Sequence, residues 1–389
     1  MTDPDKSLST RLVHEGRSSK SFGGAVNPPI KRASTLLADN VSDLYGARSL
    51  YGRMGTETHE VLREGLKTLE NASHVQLAPS GLSGCALALA SVVNAGDHLL
   101  MTDSAYGPTR RFAERYLARM GVSVTFFDPR INATDFKSLI RAESAVVFFE
   151  MPGSLTFELH DLNSLLPVCK EEKLVTLLDN TWAAGIFFKP LDVGIDISVQ
   201  ALTKYVIGHS DGFGGAAMTN RKDLALKLEQ CANDWGIAMS PDDAYLAQRG
   251  LKTLSVRIIE QGKSAKEIAD WLSGQDHVLD VYHPALESHP DHQVFTAHFS
   301  GSSGLFSFTV DTTNDEKLAH FFKAFHLFGF GFSWGGFESL IIPCNPQLKR
   351  SESNRWKSKD FGTLIRLQVG LEDTADLISE LSDALDQLS

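Results

Sequence analysis

The chain has 389 residues, 42% of them hydrophobic and 22% charged, which is enough apolar material for a large core and more than one domain. The formal net charge is −11 and no Lys/Arg tract stands out, so a nucleic-acid partner is not expected. No stretch approaches the ~20 consecutive apolar residues needed to span a bilayer, and the acidic start lacks the apolar segment of a signal peptide. The four cysteines are widely spaced and form no C-x-x-C pair, which indicates reduced thiols in a soluble, cytoplasmic protein.

Residues 1–55 differ from the rest of the chain because they show little periodicity. They contain Pro28-Pro29 and run into the Gly-, Arg- and Tyr-rich stretch YGARSLYGRMGTET at 45–58. An irregular arm of this kind usually packs on something else, and we expect it to contact a neighbouring subunit.

Residues 56–250 alternate short apolar runs with amphipathic stretches. Helical spacing is found at 107–121 and 160–173. The apolar runs are HLLMTD (98–103), VSVTFFD (122–128), AVVFFE (145–150), LVTLLD (174–179) and ISVQALT (197–203). Short runs that are apolar on both faces fit βαβ units. The sequence therefore predicts an α/β domain with a mainly parallel, buried sheet.

Residues 251–389 change pattern and predict a smaller α+β domain. A long helix is predicted at 253–274, strands at 304–310 and 363–370, and a final helix at 374–388.

Several predicted strands end in an acidic residue, namely Asp103, Asp128, Glu150 and Asp179. In open α/β sheets, ligands bind beyond the carboxyl ends of the strands, so these residues are candidates for a site. A strand-terminal acid also often only caps the following helix, and the sequence leaves both interpretations open.

The segment APSGLSGCALALASVV at 78–93 predicts a helix that begins near Ser80 and Gly81. Small residues at a helix start leave backbone N–H groups open, which suits phosphate, although Ser-Gly before a helix is more often a simple cap. The sequence lacks the nucleotide-binding glycine motifs, and its 13 histidines are scattered, so a metal site has little support.

Lys204 follows a predicted buried strand in VQALTKYVIGHSDG at 199–212. A buried ammonium is costly, so this lysine needs a partner, a solvent route or a chemical role. In a parallel sheet Asp179 would face the same crevice. A partly desolvated lysine can form a Schiff base, and an aspartate opposite it could hold a pyridinium nitrogen protonated. The pair could equally be a buried ion pair, and spacing alone leaves this open.

Five further segments carry a family resemblance. They are YGRMGTET (51–58), DNTWAAG (179–185), TKYVIGHSDG (203–212), FSWGGFESL (332–340) and GTLIRLQVGLED (362–373). Because these segments occur in the same order as in the family, the chain resembles the Cys/Met-metabolism family of fold-type I pyridoxal-phosphate enzymes over nearly its whole length. The resemblance implies pyridoxal 5'-phosphate as cofactor. It also implies a large cofactor-binding domain with a mostly parallel central sheet and a smaller C-terminal α+β domain.

The resemblance assigns roles to three residues around the cofactor ring. Lys204 would bind the cofactor covalently and, once released by substrate, shuttle the Cα proton. Asp179 would pair with the pyridinium nitrogen. Tyr106 would stack on the ring and accept a proton as its phenolate. Without the family, Tyr106 could be a core aromatic residue with a satisfied hydroxyl.

The resemblance also implies a phosphate site that two subunits share. The backbone amides of Gly81 and Leu82, with the Thr203 hydroxyl, would hold the phosphate. Tyr51 and Arg53 would reach it from a neighbouring subunit, which gives the N-terminal arm a purpose. Each site would then need two chains, and dimers pairing into a homotetramer are expected.

The substrate carboxylate would be bound by Arg366, with Ser333 and the backbone at Trp334, in a bidentate clamp. Arg366 could instead be a structural ion-pair partner. Both possibilities are open on the residues alone, and the family resemblance favours the clamp.

The branch of the family is indicated by Trp182, Trp334 and the stretch MPGS at 151–154, which resemble the β-eliminating members. This implies a carbon–sulfur lyase that converts L-cystathionine to homocysteine, pyruvate and ammonia. Met151 and the stretch NDWG (233–236) depart from the pattern. The alternatives are a γ-acting relative and, more distantly, a regulator that keeps the cofactor as a ligand.

Overall fold

A computed structural model describes residues 5–16, 22–46, 50–353, 355–356 and 360–389. The helices are α1 Leu8–His14, α2 Val41–Leu44, α3 Glu57–Glu70, α4 Gly81–Ala90, α5 Gly107–Phe112, α6 Ala133–Ser138, α7 Leu162–Glu171, α8 Lys222–Asp234, α9 Pro241–Leu251, α10 Leu254–Leu272, α11 His292–His298, α12 Asp315–Lys323 and α13 Thr374–Leu385. The strands are β1 His74–Ala78, β2 His98–Thr102, β3 Ser123–Phe127, β4 Ser144–Glu150, β5 Val175–Asp179, β6 Ile197–Gln200, β7 Gly215–Thr219, β8 Val278–Tyr282, β9 Leu305–Val310, β10 Leu340–Pro343 and β11 Thr363–Gln368.

The larger sheet has seven strands in the order β1-β7-β6-β5-β4-β2-β3. All neighbours pair in parallel except around β7, which is antiparallel to both β1 and β6. The five strands predicted from the middle of the chain are all present, so the prediction of a mostly parallel α/β sheet is confirmed. β1 and β7 were not predicted, because β7 (GAAMT) is built of small residues with little strand propensity.

The carboxyl edge of this sheet brings several candidate residues together. Glu150 at the end of β4 is paired with Asp179 at the end of β5, and Asp179 is in turn paired with Val199 of β6. The chain leaves β6 into the turn that carries Lys204. Asp179 and Lys204 therefore lie on the same edge, as the parallel arrangement predicts.

Helix α4 packs on β6 and β7 and begins at the same edge. Its Ser80 cap accepts a hydrogen bond from the Ser83 amide at 3.2 Å. The Ala- and Leu-rich sequence favours a helix, and Gly84 allows close approach, since a Cβ there would lie 3.4 Å from Val199.

The smaller sheet has four antiparallel strands in the order β10-β11-β9-β8. Arg366 lies on the central strand β11, paired with Ile342 and Ser307. The loop after β5 contacts the smaller sheet, because the Trp182 indole donates a hydrogen bond of 2.8 Å to the carbonyl of Leu305 in β9. The domain limits 1–55, 56–250 and 251–389 stay a prediction.

The N-terminal arm contacts its own chain at several points but leaves part of its apolar surface exposed. Thr35 and Tyr51 form an isolated β-bridge, and the Lys31 amide donates to the Thr58 hydroxyl at 2.8 Å. Several of its apolar side chains are exposed, namely Val26, Leu37, Val41, Leu44 and Tyr45. Within the described residues, no helix has the length and apolar character required to cross a membrane.

Candidate active site

Lys204 lies in a tight turn that follows β6. Its amide donates to the Ala201 carbonyl at 3.1 Å, and its own carbonyl accepts from the Gly208 amide at 2.8 Å. The next residue, Tyr205, is buried and anchors the turn in the core. The lysine side chain leaves the turn toward a distant loop, where Nζ donates to the Ser333 hydroxyl at 3.0 Å and lies 5.1 Å from the Trp334 ring centroid.

The charge state of Lys204 is set by its surroundings. Burial lowers its pKa to about 8, the nearby Arg366 guanidinium acts in the same direction, and Asp179 opposes both. An amine with this pKa is partly neutral near pH 7, as a nucleophile or proton acceptor must be.

Asp179 is a buried carboxylate with polar contacts on both oxygens. Oδ1 accepts from the Thr181 amide at 3.0 Å and from the Thr181 hydroxyl, and Oδ2 accepts from the Cys85 thiol at 3.5 Å. Burial raises its pKa, and the Thr181 hydrogen bonds partly offset this. Neither oxygen forms an ion pair with a described residue, Lys204 included, so the alternative of a direct Lys204–Asp179 ion pair is wrong.

The start of α4 offers unused hydrogen-bond donors. The Gly81 and Leu82 amides are at the first helical positions and have no acceptor among the described residues. A Cβ at Gly81 would lie 2.3 Å from the Cβ of Ala201, so glycine allows the helix to begin beside the turn of Lys204. Two open amides at a helix start suit a phosphate group.

Thr203 lies in the Lys204 turn, but its hydroxyl is already engaged. It accepts from the Gly214 amide at 3.0 Å and donates to the Gly214 carbonyl at 3.2 Å. Its predicted contact with phosphate would require the donated hydrogen bond to be exchanged.

Tyr106 precedes α5 and lies at the same sheet edge. Its amide donates to Glu150 Oε2 at 2.6 Å, and 45% of the residue is exposed, so the ring is not a core aromatic. Burial and the charge of Glu150 raise the pKa of the hydroxyl, and Arg366 acts against this. The raised pKa favours the protonated phenol, and the use of Tyr106 as a phenolate stays a prediction.

Arg366 reaches from β11 toward the loop that Lys204 contacts. One guanidinium nitrogen, Nη2, donates to the carbonyls of Phe332 at 2.8 Å and Ser333 at 3.1 Å. The side chain is buried, which lowers its pKa, and it has no carboxylate partner among the residues that the structure describes. The alternative of a structural ion pair therefore finds no support.

Tyr51 and Arg53 are the predicted site residues that the single chain does not bring to Lys204. The Arg53 guanidinium lies 5.7 Å from the Tyr51 ring centroid, and Tyr51 is 52% exposed. Arg53 lines a cavity of about 320 Å³ with Met54 and Asn233 of the unusual NDWG stretch. The lining of this cavity includes none of the residues around Lys204.

Two of the strand-terminal acids have structural contacts instead. Asp103 is fully buried and accepts from Arg110 at 2.6 Å and from the Ser351 amide at 2.9 Å. Asp128 accepts from the Arg130 amide at 2.8 Å in a turn.

Cys85 was not singled out by the sequence. The only sequence signal is its position four residues after Gly81, which places it one turn into α4.

Comparison with known proteins defines the class of protein. The model of the Cys/Met metabolism PLP-dependent enzyme family matches residues 9–386, and the chain belongs to this family. The chain is 40% identical to the cystathionine beta-lyase MetC of Escherichia coli, over 97% of this chain and 98% of the relative. It is 37% identical to the L-alanine/L-glutamate racemase of Wolbachia pipientis, over 97% and 96%. The crystal structure of metB from Corynebacterium glutamicum superimposes with a TM-score of 0.91 at 27% identity and full coverage of both chains.

The cofactor of this family is pyridoxal 5'-phosphate, and the residues of the chain fit it. A buried carboxylate without a cationic partner suits a protonated ring nitrogen, and two open helix-start amides suit a phosphate. A lysine amine with a lowered pKa suits an aldehyde. The chain is therefore a PLP-dependent enzyme, as the resemblance implied.

Proposed function

We propose that the chain is a carbon–sulfur lyase that splits L-cystathionine by β-elimination into homocysteine, pyruvate and ammonia, a step of methionine biosynthesis. The likeness to the cystathionine beta-lyase of Escherichia coli, at 40% identity over 97% of this chain, carries the proposal. The groups around Lys204 supply what such a reaction needs.

The roles of the site residues follow from their positions. Pyridoxal 5'-phosphate supplies an electron sink when it is bound. Lys204, partly neutral near pH 7, takes the proton from the substrate Cα and returns a proton to the departing sulfur. Asp179 would pair with the ring nitrogen, and Tyr106 would offer its exposed ring for stacking. Gly81 and Leu82 would hold the phosphate through their amides, and Thr203 would do so through its hydroxyl once its hydrogen bond to the Gly214 carbonyl is exchanged.

The substrate carboxylate is bound by Arg366. Its Nη2 is fixed by two carbonyls of the 332–333 backbone, which leaves the rest of the guanidinium for a paired contact with carboxylate oxygens. Ser333 and the backbone at Trp334 complete the clamp. Since Ser333 also accepts from Lys204, this loop would bring the substrate Cα close to the amine.

The proposal includes a homo-oligomer, a dimer of dimers, in which Tyr51 and Arg53 enter the site of a neighbouring subunit. The exposed apolar residues of the arm support this, because a second copy would cover them. A cytoplasmic location is part of the same proposal, supported by four cysteines that form no disulfide.

The proposal is tested with the purified protein supplied with pyridoxal 5'-phosphate. We expect an absorption band at roughly 420 nm from the cofactor bound to a lysine, and pyruvate with homocysteine on addition of L-cystathionine. A band with 2-oxobutyrate instead of pyruvate would move the chain to the γ-acting alternative. A band with no keto acid, but with conversion of L-alanine or L-glutamate to the D form, would favour the activity named for the Wolbachia relative. Absence of any band would contradict the role of Lys204.

A further inference from the structure

Both oxygens of the Asp179 carboxylate accept hydrogen bonds, but only one of them accepts from a residue nearby in sequence. Thr181, two residues along the chain, donates twice to Oδ1. The hydrogen bond to Oδ2 comes from Cys85, 94 residues away in sequence, whose Sγ lies 3.5 Å from this oxygen. This second hydrogen bond therefore depends on how α4 packs against the sheet.

A second hydrogen bond is needed because an aspartate side chain has torsional freedom. Rotation about the bond to the carboxyl group is soft, so a carboxylate fixed at one oxygen can still pivot. A donor at the second oxygen fixes the plane of the carboxylate. The orientation of this plane determines where the remaining lone pairs point. It therefore determines how well the carboxylate can accept a hydrogen bond from a protonated ring nitrogen.

The thiol is suited to act as this donor. Cys85 is 2% exposed, and burial together with the negative charge of Asp179 raises its pKa well above the usual value. The sulfur therefore keeps its proton, so it donates to the carboxylate instead of repelling it. The same helix carries the open Gly81 amide one turn earlier, so α4 would serve both the phosphate and, through Asp179, the ring nitrogen of the cofactor.

We propose that Cys85 is a positioning residue for the cofactor, which donates its thiol proton to Asp179 Oδ2 and fixes the carboxylate against the ring nitrogen. This inference rests on the proposed role of Asp179. It concerns a residue that acts through Asp179 and does not itself touch the substrate.

The test is the equilibrium affinity of the apoprotein for pyridoxal 5'-phosphate, measured by absorbance titration without substrate. Cys85→Ala and Cys85→Val remove the donor, and their dissociation constants should rise about 3–10-fold, the range of one hydrogen bond. Cys85→Ser keeps an O–H donor and should stay within about twofold of wild type. Cys169→Ala is the matched control, since Cys169 is equally buried but lies on α7 in a different apolar cluster from Cys85. Thermal unfolding of each apoprotein checks that the variant is folded. Alanine leaves a cavity and valine overpacks the site, so destabilisation of the two variants would have different causes.

A double-mutant comparison separates this role from a structural one. If Cys85 acts through Asp179, then Cys85→Ala should change the affinity by less than about twofold in an Asp179→Ala background. An unchanged affinity in Cys85→Ala and Cys85→Val, or a serine variant as weak as alanine, would overturn the inference while the proposed function stands. A wild-type protein that binds no cofactor would instead overturn the proposed function, and the inference with it.

Discussion

The Lys204 turn and the N-terminal arm are both predicted to serve the same site, but they are built in opposite ways. Within the turn, Tyr205 is 1% exposed, and the buried Arg257 donates to the Val206 carbonyl at 3.4 Å and the Gly250 carbonyl at 2.9 Å. In the arm, Leu37 is 91% exposed. The turn is anchored in the core of its own chain, whereas the arm buries Leu12 but leaves several other apolar side chains exposed.

The difference indicates which functions one chain can perform alone. Burial of apolar surface stabilises by roughly 25 cal/mol per Å², and the arm leaves much of this stabilisation unrealised in the single chain. If a neighbouring copy covered the exposed apolar side chains of the arm, the assembly would be stabilised. Tyr51 and Arg53 would then lie against the neighbouring subunit. We therefore expect the lysine chemistry to depend on the single subunit, and the contacts of Tyr51 and Arg53 with the cofactor phosphate to depend on the assembly.

The largest effect is expected at the turn. Lys204→Ala removes a group that acts in several steps, so pyruvate formation should fall about 10⁴-fold or more, and the absorption band of the lysine-bound cofactor should disappear. Stopped assays of pyruvate and the visible spectrum check both. Lys263→Ala, at an exposed position on α10, is the control and should leave both unchanged. Near-full turnover in Lys204→Ala would contradict the proposed mechanism.

The next effect concerns substrate binding by the fixed part of the molecule. Arg366→Lys keeps the charge but loses the planar fork, and kcat/KM for L-cystathionine should fall about 10²-fold. The loss should be visible in steady-state kinetics, with the cofactor spectrum unaltered. The surface replacement Arg221→Lys serves as control. An unchanged kcat/KM would remove Arg366 from the substrate site.

The arm is tested by subunit exchange. Arg53→Ala should weaken cofactor affinity about 10–100-fold, the range of a hydrogen bond to a charged group. Arg32→Ala should not, because Arg32 pairs with Asp242 of its own chain at 2.9 Å. When Arg53→Ala and Lys204→Ala proteins are mixed and allowed to exchange subunits, about a quarter of the sites regain both intact residues. At a limiting cofactor concentration, at which Arg53→Ala alone binds little cofactor, activity should rise on mixing. An unchanged activity after subunit exchange would mean that Arg53 serves its own subunit.

The smallest expected effect is the pH dependence of cofactor uptake, which is set by Lys204 in the turn. Because burial and Arg366 lower the pKa of Lys204 to about 8, the neutral amine is the majority form above that pH. Uptake of pyridoxal 5'-phosphate by the apoprotein should accelerate about tenfold per pH unit below pH 8 and level off above it, whereas an ordinary lysine would continue to pH ~10.4. Rapid-mixing absorbance gives the profile, and a rise that continues past pH 9 would place the pKa elsewhere.

Much of the fold follows from local pattern. The apolar runs that became β2 to β6 and the helix α10 were predicted because they are long or buried on both faces. β1, β7, β8 and β10 were not, since they are short, or rich in small residues, or partly exposed. Antiparallel insertion of β7 depends on long-range pairing that periodicity does not encode.

The site was predictable to the extent that its residues follow recognisable segments. Lys204, Asp179 and Arg366 lie in such segments. The structure places the first two on one edge of the larger sheet, and Arg366 reaches the loop that Lys204 contacts. The role of Cys85 was not predictable, because its contact with Asp179 depends on the packing of a helix against a strand far along the chain. The predicted roles of Tyr51 and Arg53 involve a second chain, so they stay predictions.

The close approach of Gly335 to the Lys204 turn limits how this enzyme could be redesigned. Gly335 has φ +83°, and a Cβ there would lie 2.8 Å from the Tyr205 nitrogen, so any other residue would push the two backbones apart. The flanking residues have no such limit, since Phe332 is 77% exposed and Phe337 is 52% exposed. A mutant library aimed at new substrates should therefore randomise 332 and 337 and keep glycine at 335, because diversity at that position would produce mostly inactive clones.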